Sequence, residues 1–167
     1  MDEHCTLTEV RWINSPSKPA IVMELSTSGA PRASSQSRFD SQVFNINVNG
    51  DFDAWRAKLA GMEQLVEGWN GYSAPAPSKA ALVTAQGFLS NLAIAHFEPS
   101  RVAPSTVGGV GITHKRSHRR VYVEFFNEGA VCALFSDNES EPRSKQVKAG
   151  YHEFRELIKE IKEYLNA

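Results

Sequence analysis

The sequence predicts an α+β protein in which helices cover one face of an antiparallel sheet. Three segments place apolar residues at three- and four-residue steps, which is the pattern of a helix with one buried stripe. Between the second and third segments lie short runs of β-branched and aromatic residues, and two of these runs flank the turn sequence Asn127-Glu128-Gly129. The predicted order is N-terminal strands, two helices, a meander of about three strands, and a final helix.

The helices follow from their stripes and their ends. The first begins at Gly50 or Asp51 and ends near Gly68, the second begins after Ser78, which is a suitable N-cap, and the third closes the chain. The stripes consist of Phe52, Trp55, Leu59, Met62, Leu65 and Val66 in the first helix, Leu82, Ala85, Leu89 and Leu92 in the second, and Phe154, Leu157, Ile158, Ile161, Tyr164 and Leu165 in the third.

The meander contains a predicted hairpin whose two faces are both largely apolar. A three-residue loop places Glu124 opposite Cys132 and Tyr122 opposite Leu134, whereas a two-residue loop shifts this pairing by one residue. Because a sheet with one solvated face alternates apolar with polar residues, the second face needs a cover, either from the N-terminal strands or from another chain. The strands are predicted at Gly108–Thr113, Arg120–Phe126 and Ala130–Phe135, with connectors at His96–Pro104 and Ser136–Gln146.

We interpret residues 1–167 as a single α+β domain with two parts. Residues 1–50 form a strand-containing N-terminal part, and residues 51–167 form the core of two helices, the meander and the last helix. In the N-terminal part, strands are predicted at Thr8–Ile13, Ala20–Leu25 and Gln42–Val48, and the residues 26–41, rich in Ser, Gly and Pro, are predicted to form a mobile loop.

Composition and charge exclude several classes of function. The net charge of −1 gives no general attraction to nucleic acid or to a membrane surface, and no apolar run approaches the roughly 18 residues of a membrane helix. The two cysteines are too few for a disulfide framework and form no cluster with histidine, so we expect no metal and no cofactor. The acidic start lacks the features of a signal peptide, and we expect a cytoplasmic bacterial protein.

The sequence WNGYSAPAPS, residues 69–78, combines two aromatic residues with a turn dipeptide and two prolines. Because prolines restrict the chain, Trp69 and Tyr72 would be presented to a partner at low entropic cost. The alternative is that both rings pack onto the sheet and set the angle between the helices. Together with Tyr122 and Phe126 of the hairpin, they are the predicted partner-binding residues.

A second candidate is the basic turn THKRSHRR, residues 113–120, which contains Lys115, Arg116, Arg119 and Arg120. Such a turn could contact the phosphates of a nucleic acid, or the rim of an acidic protein partner. The alternative is a solvated hairpin tip, because the turn lacks the interleaved aromatic residues that stack on bases.

A third candidate is a small enzyme. Glu124 lies between two aromatic residues, where a raised pKa would suit a general base acting with His114 or His118. No phosphate-binding loop, nucleophile elbow or Cys–His pair accompanies it. We therefore predict no catalytic residues, and catalysis is retained only as an alternative.

The aromatic loop, the glycine-rich strand entry and the hairpin together resemble a pattern found in small uncharacterised bacterial proteins. That pattern reads W(D/N)GYGA-x-P-x-S, a helix, P-x-x-GG, and then a hairpin carrying a glutamate, and it spans about residues 69–137 here. This chain has Ser73 where the pattern has a glycine. The resemblance implies no activity, but it implies an accessory role in bacterial defence or mobile-element loci, as an antitoxin-like or inhibitor-like partner.

These observations predict a non-enzymatic protein-binding module. The expected partner is another protein whose identity the sequence leaves open, or a second copy of the chain. Nucleic-acid binding through residues 115–120 and a small enzyme using Glu124 are the alternatives, and no membrane association is expected.

Overall fold

The computed structural model describes residues 50–167. Three helices and a five-stranded antiparallel sheet form the α+β fold that the sequence predicts. The bounds are α1 Gly50–Gly61, α2 Lys79–Ile94, β1 Arg101–Pro104, β2 Gly109–Arg116, β3 Arg119–Phe126, β4 Val131–Ser136, β5 Arg143–Val147 and α3 Tyr151–Asn166. The predicted N-terminal strands, Thr8–Ile13, Ala20–Leu25 and Gln42–Val48, and the predicted loop 26–41 lie outside the described residues.

The strands pair in the order in which they occur along the chain, so the sheet is a simple meander. In the central hairpin Glu124 lies opposite Cys132 and Tyr122 lies opposite Leu134. The Phe126 N–H donates to the Ala130 carbonyl at 2.9 Å and closes the loop. The three-residue loop is therefore the correct one of the two predicted registers.

All three helices contribute to a core on one face of the sheet. The ring of Phe88 in α2 lies 5.5 Å from that of Phe125 in β3 and 5.3 Å from that of Phe154 in α3, measured between centroids. Ile112 and Val123 are fully buried on the same face. Aromatic side chains thus join both long helices to the middle of the sheet, and we call the opposite side the second face.

The first helix is shorter than predicted. It ends at Gly61 and is followed by a 3-10 turn, Met62–Gln64, rather than continuing to Gly68. Leu65 has an extended backbone but packs against the core. It therefore continues the apolar stripe of the sequence although it is not part of the helix. Gly68 has φ of +77° and donates to the Ala74 carbonyl at 2.9 Å, so it belongs to the following loop.

Two strands lie in segments that were predicted to be connectors, and those predictions are wrong there. β1 occupies the end of His96–Pro104 and has only four residues. β5 overlaps the predicted loop Ser136–Gln146 and exposes every residue except Val147. Both strands form through backbone pairing to a neighbour, which a hydrophobic period does not reveal.

Candidate functional site

The aromatic loop between α1 and α2 is held by its own side chains. The Asn70 Oδ1 accepts a hydrogen bond from the Tyr72 backbone N–H at 2.9 Å. The indole Nε1 of Trp69 donates to the Pro75 carbonyl at 3.1 Å, and the ring is half-buried. Trp69 therefore fastens the loop, while Tyr72 lies on its outer side.

Asn127, in the turn between β3 and β4, joins this loop to the sheet. Its Oδ1 accepts from the Ser78 N–H at 2.6 Å, and its Nδ2 donates to the Ala76 carbonyl at 2.9 Å. The Ser78 hydroxyl donates to the Asn127 carbonyl at 3.0 Å and accepts from the Ala81 N–H at 3.2 Å, as the predicted N-cap of α2. One side chain thus fixes the end of the loop and the start of α2 on the hairpin turn.

The glycine pair before β2 allows the loop and the hairpin to approach closely. Gly108 has φ of +94°, and a Cβ there would lie 2.7 Å from the Asn127 Nδ2 and 3.3 Å from the Pro75 Cβ. Gly109 has φ of +110°, and a Cβ there would overlap the Phe125 carbonyl oxygen. Three segments therefore meet at one end of the sheet, which we call the loop end: residues 66–78, 105–109 and 126–129.

The loop end exposes apolar side chains. Tyr72 is 83% exposed, Val66 is 70% exposed and Val107 is 60% exposed. Of the other predicted contact residues, Phe126 is half-buried at the end of β3. Apolar groups on a hydrogen-bonded scaffold can be buried by a partner with little loss of conformational entropy.

The second face carries a buried polar cluster. Glu124 is 2% exposed and accepts a hydrogen bond from the Ser105 hydroxyl. Burial raises the pKa of Glu124, and hydrogen bonds from Ser105 and Tyr122 lower it in part. Burial and the neighbouring Glu124 also raise the pKa of Tyr122 to about 12. Burial therefore favours the protonated form of both groups.

The predicted contact residue Tyr122 is half-buried within this cluster. Its ring lies across Gly111 of the neighbouring strand, where a Cβ would overlap the ring and the hydroxyl. Because its hydroxyl interacts with Ser105 and Glu124, Tyr122 organises the second face rather than projecting freely from it.

The structure does not bring Glu124 together with either of the two histidines predicted as its partner, His114 and His118. His114 pairs with Val121 in the sheet and lies on the helix-covered side, whereas Glu124 lies on the second face. His118 is exposed in the turn between β2 and β3, and strand spacing places it about 20 Å from Glu124. Neither histidine is within hydrogen-bond reach of this carboxyl, as the proposed acid–base pair requires.

The basic turn contacts the C-terminal end of α3. Arg119 donates to the Tyr164 carbonyl at 2.7 Å, and its guanidinium carbon lies 5.4 Å from the centroid of that ring. Arg116 donates to the side-chain oxygen of Asn166. Because the carbonyl end of a helix carries partial negative charge, these two arginines stabilise α3. The other basic residues of the turn are the exposed Lys115 and the half-buried Arg120.

No family model, curated protein or solved structure matches the chain. Function must therefore be inferred from the geometry. Within residues 50–167, no helix is long and apolar enough to cross a membrane. The same residues contain no group of three or more His, Cys, Asp or Glu side chains arranged to hold a metal ion.

Sequence reasoning missed Ser105, Asn127 and the position of His114. The sequence marks Asn127 as a turn former, although an asparagine there can also bond to a neighbouring segment. Ser105 gave no signal, because its partner lies on another strand. His114 follows Val110 and Ile112 at two-residue steps, and this alternation could have predicted its burial.

Proposed function

We propose that the chain is a non-enzymatic protein-binding module that buries its loop end against another protein. The observation that carries this proposal is the exposed Tyr72 ring on a loop that Asn70, Trp69 and Asn127 hold in place. The resemblance of residues 69–137 to small bacterial accessory proteins supports the further proposal of a role in a defence or mobile-element setting, as an antitoxin-like or inhibitor-like partner.

The charges near Tyr72 indicate the chemistry of the partner. Among the described residues of the loop end and those next to it in the chain, Glu63, Glu67 and Glu128 are exposed carboxylates, and Lys79 is an exposed cation. The surface is therefore apolar with an acidic border. The matching partner surface is an apolar cleft bordered by Lys or Arg side chains.

The geometry gives less support to nucleic-acid binding through the basic turn. Arg116 and Arg119 already bond to the end of α3, so releasing them for phosphates would cost helix contacts. Lys115 is exposed, and among the described residues its side chain makes no such bond to α3. We therefore place the turn outside the main contact surface.

The test compares two exposed tyrosines. Tyr72→Ala removes the ring at the loop end, and Tyr151→Ala removes an equally large ring at the start of α3, which is 58% exposed. Each tagged variant and the wild type are expressed in the native host, purified gently, and analysed by mass spectrometry. The captured protein is then purified, and its affinity for each variant is measured by calorimetry.

We expect one protein that the wild type and Tyr151→Ala bind alike and that Tyr72→Ala binds at least about tenfold more weakly, as for a central aromatic contact. Equal binding by all three proteins would refute the proposed contact surface. A purified wild type that retains no protein and has the native mass of a homodimer would indicate self-association instead.

A further inference from the structure

A small cavity lies between the end of β2 and the last turn of α3, away from the loop end. Its volume is about 140 Å³, which suits a small ion or molecule rather than a peptide. Its walls come from the segment before β1, the end of β2 and the end of α3. The lining residues are Phe97, Glu98, Ser100, His114, Lys115, Arg116, Lys162, Leu165 and Asn166.

Cationic side chains dominate the lining of this cavity. Lys115, Arg116 and Lys162 line it, and Glu98 is the carboxylate among the lining residues. The Lys162 ammonium donates to the Ala95 carbonyl at 2.8 Å, which uses one of its three protons and leaves two for other acceptors. The net charge of the lining therefore favours an anion.

Hydrogen-bond donors accompany these charges. The Ser100 Oγ accepts from the Lys115 backbone N–H at 3.0 Å, so its own proton remains to be donated. The Asn166 side-chain oxygen accepts from Arg116, which leaves the amide nitrogen as a donor. An anion with several acceptor atoms would match this set better than a halide would.

His114 forms the buried wall of the cavity. The residue is 1% exposed, and neither ring nitrogen has a hydrogen-bond partner of good geometry among residues 50–167. The ring stacks on Phe97 with a centroid distance of 4.5 Å and an interplanar angle of 7°, which fixes its orientation. Burial lowers the pKa of His114 to about 4, and a poorly aligned hydrogen bond to the Glu98 backbone opposes that shift in part, so the ring is neutral near pH 7.

A neutral imidazole has one N–H donor and one acceptor nitrogen, and leaving them without a well-aligned hydrogen bond in a buried position costs stability. A ligand that accepts the N–H bond would recover part of that cost. The same ligand could be contacted by the lysine ammonium groups at the mouth of the cavity. The buried His114 ring and the cationic Lys115 and Lys162 side chains thus line the same cavity.

We propose that this cavity binds a phosphate-type oxyanion, with His114, Ser100 and Lys162 donating to its oxygens and Lys115 at the entrance. This site is independent of the proposed protein contact at the loop end. The oxyanion is either free phosphate or the phosphate group of a larger molecule. A neighbouring groove of about 480 Å³ shares Lys162 and Asn166 with the cavity, and it could hold the remainder of such a molecule.

The first test follows the side-chain nitrogen signals of His114 by NMR while sodium phosphate replaces sodium chloride at constant ionic strength. Calorimetry with inorganic phosphate and with adenosine 5′-monophosphate provides affinities. Lys115→Gln removes one charge at the cavity. Lys148→Gln removes one charge from an exposed position that lines neither concavity and serves as the matched control.

We expect saturable changes in the His114 signals and a loss of about tenfold in phosphate affinity for Lys115→Gln but not for Lys148→Gln. Tighter binding of the mononucleotide, weakened by Ile94→Ala in the groove, would assign the phosphate to a larger molecule. Equal or weaker binding of the mononucleotide would assign the site to free phosphate. Unchanged His114 signals at millimolar phosphate, or equal losses in both lysine variants, would overturn the proposal.

Discussion

Replacing Asn127 by alanine should loosen the loop end without altering the core. The substitution removes the bond from the Ser78 N–H at 2.6 Å and the bond to the Ala76 carbonyl at 2.9 Å, both in a partly buried position. Each such bond contributes about 1 kcal/mol net, so we expect the free energy of unfolding to fall by about 2 kcal/mol. For a protein of this size that corresponds to a melting temperature about 4–8 °C lower.

Urea denaturation and hydrogen exchange measure the two parts of this prediction. Denaturation gives the free energy of unfolding, and exchange at the Ser78 amide reports whether this part of the loop opens locally. Asn138→Ala is the matched control, because Asn138 is exposed in the loop between β4 and β5. The control should remain within about 0.5 kcal/mol of the wild type.

The reasoning fails if Asn127→Ala is as stable as the control and the Ser78 amide keeps its full protection in the variant. That result would mean that the loop is held by packing alone. A large loss of stability without faster local exchange would instead place Asn127 in the cooperative core, which also contradicts the role assigned here.

Three further predictions concern backbone space and pH. Gly109→Ala should lower the free energy of unfolding by more than about 3 kcal/mol, because Gly109 has a positive φ and a Cβ there would overlap the Phe125 carbonyl oxygen. In the control Gly61→Ala the added Cβ meets no atom, so this variant should be as stable as the wild type or up to about 1 kcal/mol more stable. Equal stabilities of the two variants in urea denaturation would contradict this prediction. Because burial raises the pKa of Glu124, folding favours its protonated form, and this contribution is present below the ordinary pKa of 4.5 and lost as the pH rises through the folded value. The stability of Glu124→Gln relative to the wild type should thus increase from pH 4 to pH 8, and a constant difference would refute the assignment. For His114 the sign is opposite, because burial lowers its pKa and folding favours the neutral ring. Its contribution to the free energy of unfolding is present above pH 6.5, and about 3 kcal/mol should be lost as the pH falls from 6.5 to 4. Denaturation curves of His114→Gln across that range should lack this loss.

The sequence was informative wherever burial imposed a period. The apolar stripes located α2 and α3, and the three-residue turn after Phe126 is one of the two registers that the sequence allows. The sequence did not predict β5, because its side chains are almost all exposed and no alternation of apolar and polar residues marks the strand. The end of α1 was misplaced because Leu65 is buried in an extended conformation, and burial alone does not distinguish that from a helix.

The candidate site was predicted less completely than the fold. Trp69 and Tyr72 stood out by composition, but only the structure shows that one fastens the loop while the other is exposed. The bonds of Asn127 to residues far away in the sequence depend on tertiary structure and leave no local signal. For the same reason, the separation of Glu124 from His114 by the sheet could be established only after the register was known.

The outer strands of the described sheet limit how this protein can associate. β1 is short and ends at Pro104, which has no backbone N–H to offer, and β5 carries Arg143 and Lys145, both of which bond to Glu160 on α3. Short, proline-terminated and charged edges are poor templates for strand addition, whether by a foreign peptide or by another copy in a growing fibril. Recognition at these two edges of the described sheet should therefore depend on side chains rather than on shared backbone hydrogen bonds.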